Sequence, residues 1–426
     1  MTIALFLGSL LGAMLIGVPV AFALMVCGLV LMWHLQMFDP QILAQNLVGG
    51  ADSFPLLAVP FFILAGEFMN AGGLSKRIVE VGLAFFGHRR GGLGYVAVVG
   101  AILMASLSGS AVADTAALAA VLMPMMRQAG YPAGRSAGLI AAGGIIAPVI
   151  PPSIGFIIFG VASGVSITKL FLAGIVPGLL MGLSLMAAWF FIARRENLPT
   201  AEPVSWQGRA VALRRGALAL ALPAIIVFGL KFGVFTPTEA AVVAAVYALC
   251  ACLFVYRTLD GPKIIECLIN ASRLTATVLF LVAAASVSAW LITVAELPAQ
   301  LTAWAAPLID RPMLLMFLLM GFVFLVGTAL DFVPTVLILT PVMMPLVKQA
   351  GIDPVFFGVV FIMMNAIGLI TPPVGSVLNV AAGVGGVPMS SVIRGVMPFL
   401  LAELTVVALL IAFPSLVLVP LRWLTT

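Results

Sequence analysis

The chain contains one segment twice, and both copies are interrupted by proline and glycine at matching places. Pro124–Gly130 and the Pro151-Pro152 pair recur as Pro345–Gly351 and Pro372-Pro373, 221 residues later in both cases (345 − 124 and 372 − 151). The same offset aligns further identical residues without a gap: Val112 with Val333, Leu118 with Leu339, Gly174 with Gly395 and Pro177 with Pro398. Dispersed identities at one fixed spacing indicate a duplicated structural unit. In an apolar chain, paired breaks of this kind are typical of a transporter binding site.

The low content of charged residues places this duplicated unit in a membrane. Of the 426 residues, 63% are hydrophobic and only 8% are charged, whereas soluble domains carry roughly a quarter charged residues. The apolar runs are long and lack strand-like alternation, so helices are the expected spanning elements. We predict an all-α polytopic membrane protein with roughly ten to twelve transmembrane helices and two re-entrant hairpins, because several apolar runs are too short to cross the bilayer.

The composition along the chain divides it into four segments. They are 1–91 (N-terminal spans and an interfacial arm helix), 92–192 (first repeat), 193–312 (a cytoplasmic loop and central spans) and 313–426 (second repeat and last span). Residues 75–91 alternate charged and apolar side chains, which favours an amphipathic interfacial helix and a basic loop equally. Residues 193–216 read as the longest polar connection, and their excess of arginine predicts a cytoplasmic location.

No motif for covalent chemistry is present. The sequence has no Walker A pattern, no HExxH and no glycine-rich nucleotide fingerprint, so the chain is not expected to hydrolyse ATP or to be an enzyme, and no cofactor is expected. Movement of a solute would then draw on an ion gradient or on another subunit. An intramembrane enzyme with Asp114 and Asp331 as a carboxylate pair is the alternative, although the two aspartates occupy non-equivalent repeat positions.

The polar breaks are the best candidate sites. A broken helix leaves backbone groups unpaired inside the protein, and carbonyls with hydroxyls suit Na⁺, whereas helix N-termini suit an anion. The candidate Na⁺ ligands are Ser106, Ser108, Gly109, Ser110, Asp114, Gly327, Thr328, Asp331, Thr371 and Pro372. The candidate substrate ligands are Ser108, Ser110, Pro151, Pro152, Ser153, Asn365, Pro373, Gly375, Ser376 and Asn379. Within this set, Ser108→Ala or Thr371→Ala is predicted to weaken sodium dependence more than expression.

Structural explanations compete with these assignments. Glycine and serine also permit close helix packing, and proline can simply kink a span. Asp114 and Asp331 could bind a cation or hold a hairpin shut by accepting backbone hydrogen bonds. Glu239 is expected to be a first-turn carboxylate of a helix. Arg127, at a hairpin end, is expected to be solvated.

Four segments together carry the pattern of a known family: Ser106–Asp114, Gly143–Ser153, Phe235–Ala240 and Gly368–Gly375. In this order they resemble the large membrane subunit of TRAP transporters (tripartite ATP-independent periplasmic transporters), and the resemblance covers essentially the whole chain. Among the members of that family, the chain looks most similar to those for sugar acids such as 2,3-diketogulonate.

The resemblance implies a fold with two inverted structural repeats and an elevator-type division into scaffold and transport domains. It implies a bacterial inner-membrane importer of a small organic acid, of the sugar-acid or C4-dicarboxylate class, with Na⁺ as the coupling ion. Its expected partners are a separate four-helix membrane subunit and a periplasmic solute-binding protein. A stand-alone ion-coupled dicarboxylate transporter, working without a binding protein, is the alternative function.

Overall fold

The computed structural model describes residues 2–425, apart from the side chains of Ile3, Pro298, Leu301, Thr302, Trp304, Ala305 and Ala306. Met1, where the first predicted segment begins, and Thr426, where the fourth ends, lie outside the described residues. Within 2–425 the secondary structure is helical, in agreement with the predicted class.

The first ten helices run to the end of the first repeat. They are α1 (Thr2–Leu15), α2 (Val20–His34), α3 (Pro40–Ala51), α4 (Ala58–Ala71), α5 (Leu74–Phe86), α6 (Gly92–Ser108), α7 (Ala111–Gln128), α8 (Ala133–Gly144), α9 (Ile154–Ser163) and α10 (Ile167–Arg195). A 3₁₀ turn, Phe54–Leu57, leads into α4.

The remaining helices follow the connection after Arg195. They are α11 (Trp206–Lys231), α12 (Pro237–Cys250), α13 (Gly261–Val294), α14 (Leu297–Ile309), α15 (Pro312–Ala329), α16 (Phe332–Gln349), α17 (Pro354–Gly368), α18 (Ser376–Gly385), α19 (Met389–Ala412) and α20 (Ser415–Thr425). A π-helical turn, Ala251–Val255, continues α12.

All four predicted helix breaks are present. In the first repeat the chain breaks between α6 and α7 and again between α8 and α9, and in the second it breaks between α15 and α16 and between α17 and α18. Local chemistry explains the break between α6 and α7: Gly109 has φ +62°, a left-handed conformation that glycine adopts at little cost, and Ser110 caps α7. The α6–α7 and α15–α16 pairs are hereafter called hairpin 1 and hairpin 2.

The duplication extends to the helix boundaries. Helix α16 begins 221 residues after α7 (332 − 111), and α17 begins 221 residues after α8 (354 − 133). The Pro151-Pro152 and Pro372-Pro373 peptide bonds, at the same offset, are both cis. The repeat in the sequence is therefore a repeat in the structure.

The two repeats interlock through reciprocal contacts. Helix α7 packs against α18 of the other repeat, and its counterpart α16 packs against α9, the counterpart of α18. The same exchange relates α8 on α19 to α17 on α10. At the α8–α19 crossing, Gly138 lies against the backbone of Gly395, which permits the close approach. Contacts that recur with the partners exchanged indicate a two-fold relation between the repeats.

Eight helices in the described part of the chain are long and apolar enough to cross a bilayer. Seven further apolar helices are shorter, among them α6, α9, α17 and α18, which flank the breaks. Roughly 20 residues are needed to span the hydrocarbon core. Eight helices in the described residues meet this length, so the ten to twelve crossings predicted from the sequence would have to include broken or shorter helices.

Two connections differ in detail from their prediction. Residues 193–216 are not one polar loop, because α10 runs to Arg195 and α11 begins at Trp206, with Ser205 as its N-cap. Arg209, Arg214 and Arg215 lie on α11 and not in a loop. Their long side chains can carry the charge to a polar environment from a helix end. Residues 74–86 form helix α5, which resolves the alternative of an irregular loop.

Candidate functional site

A cavity of about 970 Å³ lies where the two hairpin tips meet. From the tips it is lined by Ser108, Gly109, Ser110, Asp331, Phe332 and Val333, and from the second break by Leu369 and Ser376. The opposite wall belongs to α2, α4 and α13, including Phe22, Glu67, Asn70, Thr277 and Phe280. The sequence predicted that both tips carry binding groups, and the structure brings them to one cavity.

The tip of hairpin 1 is organised by a hydrogen-bonded pair. The Ser108 hydroxyl donates to Oδ1 of Asp114 at 2.5 Å and accepts from the backbone N–H of Ser110 at 3.1 Å. Asp114 is 1% exposed, and its Oδ2 has no hydrogen-bond partner among the described residues. Asp114 thus lies behind the cavity and orients Ser108, which lies on its surface.

The tip of hairpin 1 rests directly on the break between α8 and α9. A Cβ added to Gly109 would lie 2.7 Å from the carbonyl oxygen of Pro152, so only glycine fits at this contact. Within the break, Ser153 caps α9 by accepting from Phe156 N–H at 3.1 Å and donates to the carbonyl of Pro148 at 2.5 Å. Ser153 is fully buried, and its hydroxyl is committed to holding the break.

The tip of hairpin 2 makes the corresponding contact with the break between α17 and α18. The backbone N–H of Val374 donates to the carbonyl of Thr328 at 3.2 Å, and Gly327 packs against Asn365 and Gly368. Buried Asn365 donates to the carbonyl of Phe332 at 2.9 Å, while its Oδ1 has no partner within the described part of the chain.

Asp331 is the charged group that hairpin 2 presents to the cavity. It stands at the N-cap position of α16, yet its side chain makes no capping hydrogen bond. Asp353, at the N-cap of α17, shows the contrast, because its carboxylate accepts from Val355 and Phe356 N–H at 2.8 and 2.9 Å. The Asp331 carboxylate is therefore not used to close the helix end beside it.

Several predicted site residues do not line this cavity. The hydroxyls of Ser106 and Thr328 donate to carbonyls of their own helices, those of Leu103 and Leu325. The hydroxyl of Thr371, which follows α17, donates to the carbonyl of Ile367 in that helix. Thr328 and Thr371 are half-buried. The others fall into two groups: Pro372, Pro373 and Asn379 are exposed, and the buried ones are Asp114, Pro151, Pro152, Ser153, Gly327, Asn365 and Gly375. Ser108, Gly109, Ser110, Asp331 and Ser376 are the predicted residues that meet at the cavity.

Two further sequence interpretations can be compared with the structure. Glu239 forms a capping box with Thr236, accepting its backbone N–H at 2.8 Å, as expected of a first-turn carboxylate. Arg127 is not a merely solvated flank: it donates to the carbonyl of Gly385 at 2.7 Å, at the C-terminal end of α18. A cation suits that position because the last carbonyls of a helix lack partners.

Sequence reasoning missed the wall formed by α4. Glu67 and Asn70 lie one turn apart on that helix and both line the cavity. A signal was available, because a carboxylate inside an apolar span is costly and marks a functional site by default. The contribution of α13, by contrast, depends on tertiary packing and leaves no local pattern in the sequence.

The charge of the cavity is negative. Of the described residues that line it, Glu67 and Asp331 carry charge, and neither arginine nor lysine is among them. Cations are therefore favoured inside it, and an organic anion could be held there by hydroxyls and helix N-termini together with bound cations. The arrangement suits joint binding of a metal cation and an anion.

Comparison with known proteins gives a consistent result. The family model of the tripartite ATP-independent periplasmic transporter, DctM component, matches residues 7–416. The 2,3-diketo-L-gulonate TRAP transporter large permease protein YiaN of Escherichia coli (strain K12) is 56% identical over 423 residues, covering 99% of this chain and 100% of the relative. The C4-dicarboxylate TRAP transporter large permease protein DctM of Pseudomonas aeruginosa is 36% identical over 382 residues, covering 90% of each chain.

A solved structure shares the fold. The Alcanivorax borkumensis YdaH transporter superposes with a TM-score of 0.65 at 16% identity, covering 87% of this chain and 86% of the other. At that identity the likeness concerns the fold alone.

Proposed function

The chain belongs to the tripartite ATP-independent periplasmic transporter family as its DctM component, the large permease, and from that premise we propose that it imports a small organic acid together with Na⁺. The observation that carries this proposal is the meeting of two helix-breaking tips at one acidic cavity. Tips with free helix ends suit an ion and an anion, and the acidic lining requires that cations accompany the anion.

The substrate class proposed is a sugar acid. Its support is the high identity to a relative named for 2,3-diketo-L-gulonate. A C4-dicarboxylate is the neighbouring possibility, since a more distant relative bears that name. Both classes present a carboxylate, which the N-terminal ends of α7 and α18 beside the cavity would attract.

Na⁺ is proposed to bind at the two tips. At hairpin 1, the Ser108 hydroxyl, the tip carbonyls and Asp114 Oδ2 supply hard oxygen ligands. At hairpin 2, Asp331 supplies a carboxylate that no helix N–H uses. Oxygen ligands of this kind match a hard cation, and they leave the substrate itself to the cavity between the tips.

We further propose an elevator-type movement in the bacterial inner membrane, with a small four-helix membrane subunit and a periplasmic binding protein as partners. Family membership supports both partners. The interlocked repeats support a rigid moving body, because α7, α9, α16 and α18 pack across the repeat boundary and would move together.

The decisive experiment is uptake into proteoliposomes that contain the chain with both partners. Uptake of 2,3-diketo-L-gulonate should need an inward Na⁺ gradient, because the cations must enter with the anion. Uptake driven equally well by K⁺ would contradict the proposed coupling. Uptake by this chain without a binding protein would instead favour a stand-alone transporter.

A further inference from the structure

Helix α4 presents two polar side chains to the cavity from the side opposite hairpin 2. Glu67 and Asn70 are three residues apart, so they lie on the same helical face, and both line the cavity. The preceding residue, Gly66, lies against the hairpin 1 tip: a Cβ added there would be 3.3 Å from Cβ of Ser108. A ligand held at that tip is therefore adjacent to α4.

The orientation of Asn70 is set by a neighbour. The hydroxyl of buried Ser75, in the first turn of α5, donates to Oδ1 of Asn70 at 2.6 Å. With its oxygen engaged in this way, the amide has its NH₂ group left as a donor. Asn70 is thus a hydrogen-bond donor toward the cavity, whereas the neighbouring Glu67 carboxylate is an acceptor.

This pair is poorly suited to bind a cation. A hard cation in a protein collects several oxygen ligands, often backbone carbonyls, but the carbonyls of this part of α4 are engaged. The carbonyl of Phe68 accepts from Gly72 N–H at 2.8 Å, and that of Asn70 accepts from Gly73 N–H at 3.1 Å. The Glu67 carboxylate has the amide side chain of Asn270 on α13 beside it, so with the NH₂ group of Asn70 the site offers hydrogen-bond donors and an acceptor, not a cation cage.

A hydroxyl group fits this pair, because it donates to a carboxylate and accepts from an amide at the same time. A keto group accepts from the amide alone. The helix ends and Na⁺ sites at the tips attract the carboxylate of an organic acid, whereas α4, beside the hairpin 1 tip, offers partners for its uncharged polar groups. The two walls of the cavity therefore differ in the chemistry they offer.

We propose that Glu67 and Asn70 are specificity-determining residues that bind hydroxyl or keto groups of the substrate. Ser75 is a positioning residue that acts through Asn70. The inference rests on the proposed transport of an organic acid and deepens it: it selects hydroxylated acids over plain carboxylates. It also places that selection on α4, outside the hairpins.

The test compares two probes, L-gulonate and hexanoate, which share a six-carbon chain and one carboxylate but differ in their hydroxyl groups. The large chain is purified with its small membrane subunit, and thermal stabilisation by each probe is titrated in Na⁺ buffer. We expect L-gulonate to stabilise the wild type at a concentration at least about tenfold lower than hexanoate, the factor that one lost charge-assisted hydrogen bond supplies. Equal responses to the two probes would overturn the inference.

Three variants locate the effect. Glu67→Gln and Asn70→Ala should abolish the preference for L-gulonate while both variants still respond to hexanoate. Ser75→Ala should reduce the preference partly, since it releases Asn70 without removing it. Glu202→Gln is the matched control: it removes the same charge from an exposed position in the connection between α10 and α11 that does not line the cavity, and it should keep the wild-type preference.

The outcomes separate the two proposals. A preference that survives both Glu67→Gln and Asn70→Ala would overturn the role of α4, whatever the transport assay shows. Failure of Na⁺-driven uptake in the wild type, measured separately in proteoliposomes, would instead refute the proposed function.

Discussion

Ser108 is the residue through which the buried interior of hairpin 1 reaches the cavity. Its hydroxyl lies between Asp114 and the N–H of Ser110, so one side chain connects a buried carboxylate, the tip backbone and the cavity surface. A buried carboxylate that loses such a donor becomes a poorer and less well oriented ligand, because unpaired charge in a low-dielectric interior is costly.

Ser108→Ala is therefore expected to raise the Na⁺ concentration for half-maximal uptake about tenfold, the effect of losing one hydrogen bond to a charged group. The measurement is the Na⁺ dependence of uptake in proteoliposomes. Ser184→Ala is the control, since Ser184 donates to its own helix at Met181 and does not line the cavity. An unchanged Na⁺ dependence in Ser108→Ala would contradict the proposed role of the tip.

Asp331 and Asp353 allow function and stability to be separated at equivalent helix positions. Asp353→Ala removes two hydrogen bonds from the start of α17, so it should lower stability by about 1 kcal/mol, the usual value of an N-cap. Asp331→Ala removes no cap and should abolish Na⁺-driven uptake with little change in stability. Thermal unfolding in detergent and uptake are measured for both; the reverse pattern would count against Asp331 as an ion ligand.

At the scale of elements, the contact between each tip and its break determines where the binding groups lie. Gly109 meets Pro152, and Thr328 pairs with Val374, so each hairpin is fitted to the break of its own repeat. The hairpin is then packed across the repeat boundary by a helix of the other repeat. Each hairpin is thus held at its tip by the break of its own repeat and along its length by a helix of the other repeat. These contacts fix the positions of the hydroxyls and carboxylates at the tip.

Gly109→Ala is expected to destabilise the protein by about 1–3 kcal/mol more than Gly130→Ala. Both glycines have positive φ, +62° and +76°, so both substitutions carry the same backbone strain of about 1 kcal/mol. Only at Gly109 does the added Cβ meet the backbone of Pro152, because nothing lies within 4 Å at Gly130. Thermal unfolding measures the loss of stability in each variant. Equal losses in Gly109→Ala and Gly130→Ala would contradict tight packing of the hairpin 1 tip on the break.

The breaks could be predicted from the sequence because their causes are local. Gly109, Ser110 and the Pro151-Pro152 pair act on the backbone within a few residues, and the 221-residue offset carried the inference to the second copy. The cavity lining could not be predicted in the same way. Thr277 and Phe280 reach it through the packing of α13, and Ser106 is turned away from it by a bond to its own helix.

At the scale of the whole molecule, neither repeat contains a complete core. Helix α18 rests on α7 and α8, and α16 rests on α9, so part of the apolar surface of each repeat is buried only by the other. The connection between the halves, by contrast, is short and exposed around Glu202. Stability is therefore shared between halves that are joined by a single covalent link.

A chain cut after Glu202 tests this. Co-expressed fragments 1–202 and 203–426 should associate and co-purify, because their buried interface does not involve the cut site. Either fragment expressed alone should be degraded, since it would expose the surface its partner covers. Accumulation of a folded fragment 1–202 on its own would contradict the interlocked arrangement.

The exchange of partners between repeats also constrains how such a chain could arise. A half-length ancestor would already have needed a self-complementary surface, since α7 on α18 and α16 on α9 are the same contact made twice. Such an ancestor would have worked as a homodimer with two identical tips facing one chamber. In a single chain the two tips are free to differ, and they do: Ser110 on one side of the chamber corresponds to Asp331 on the other.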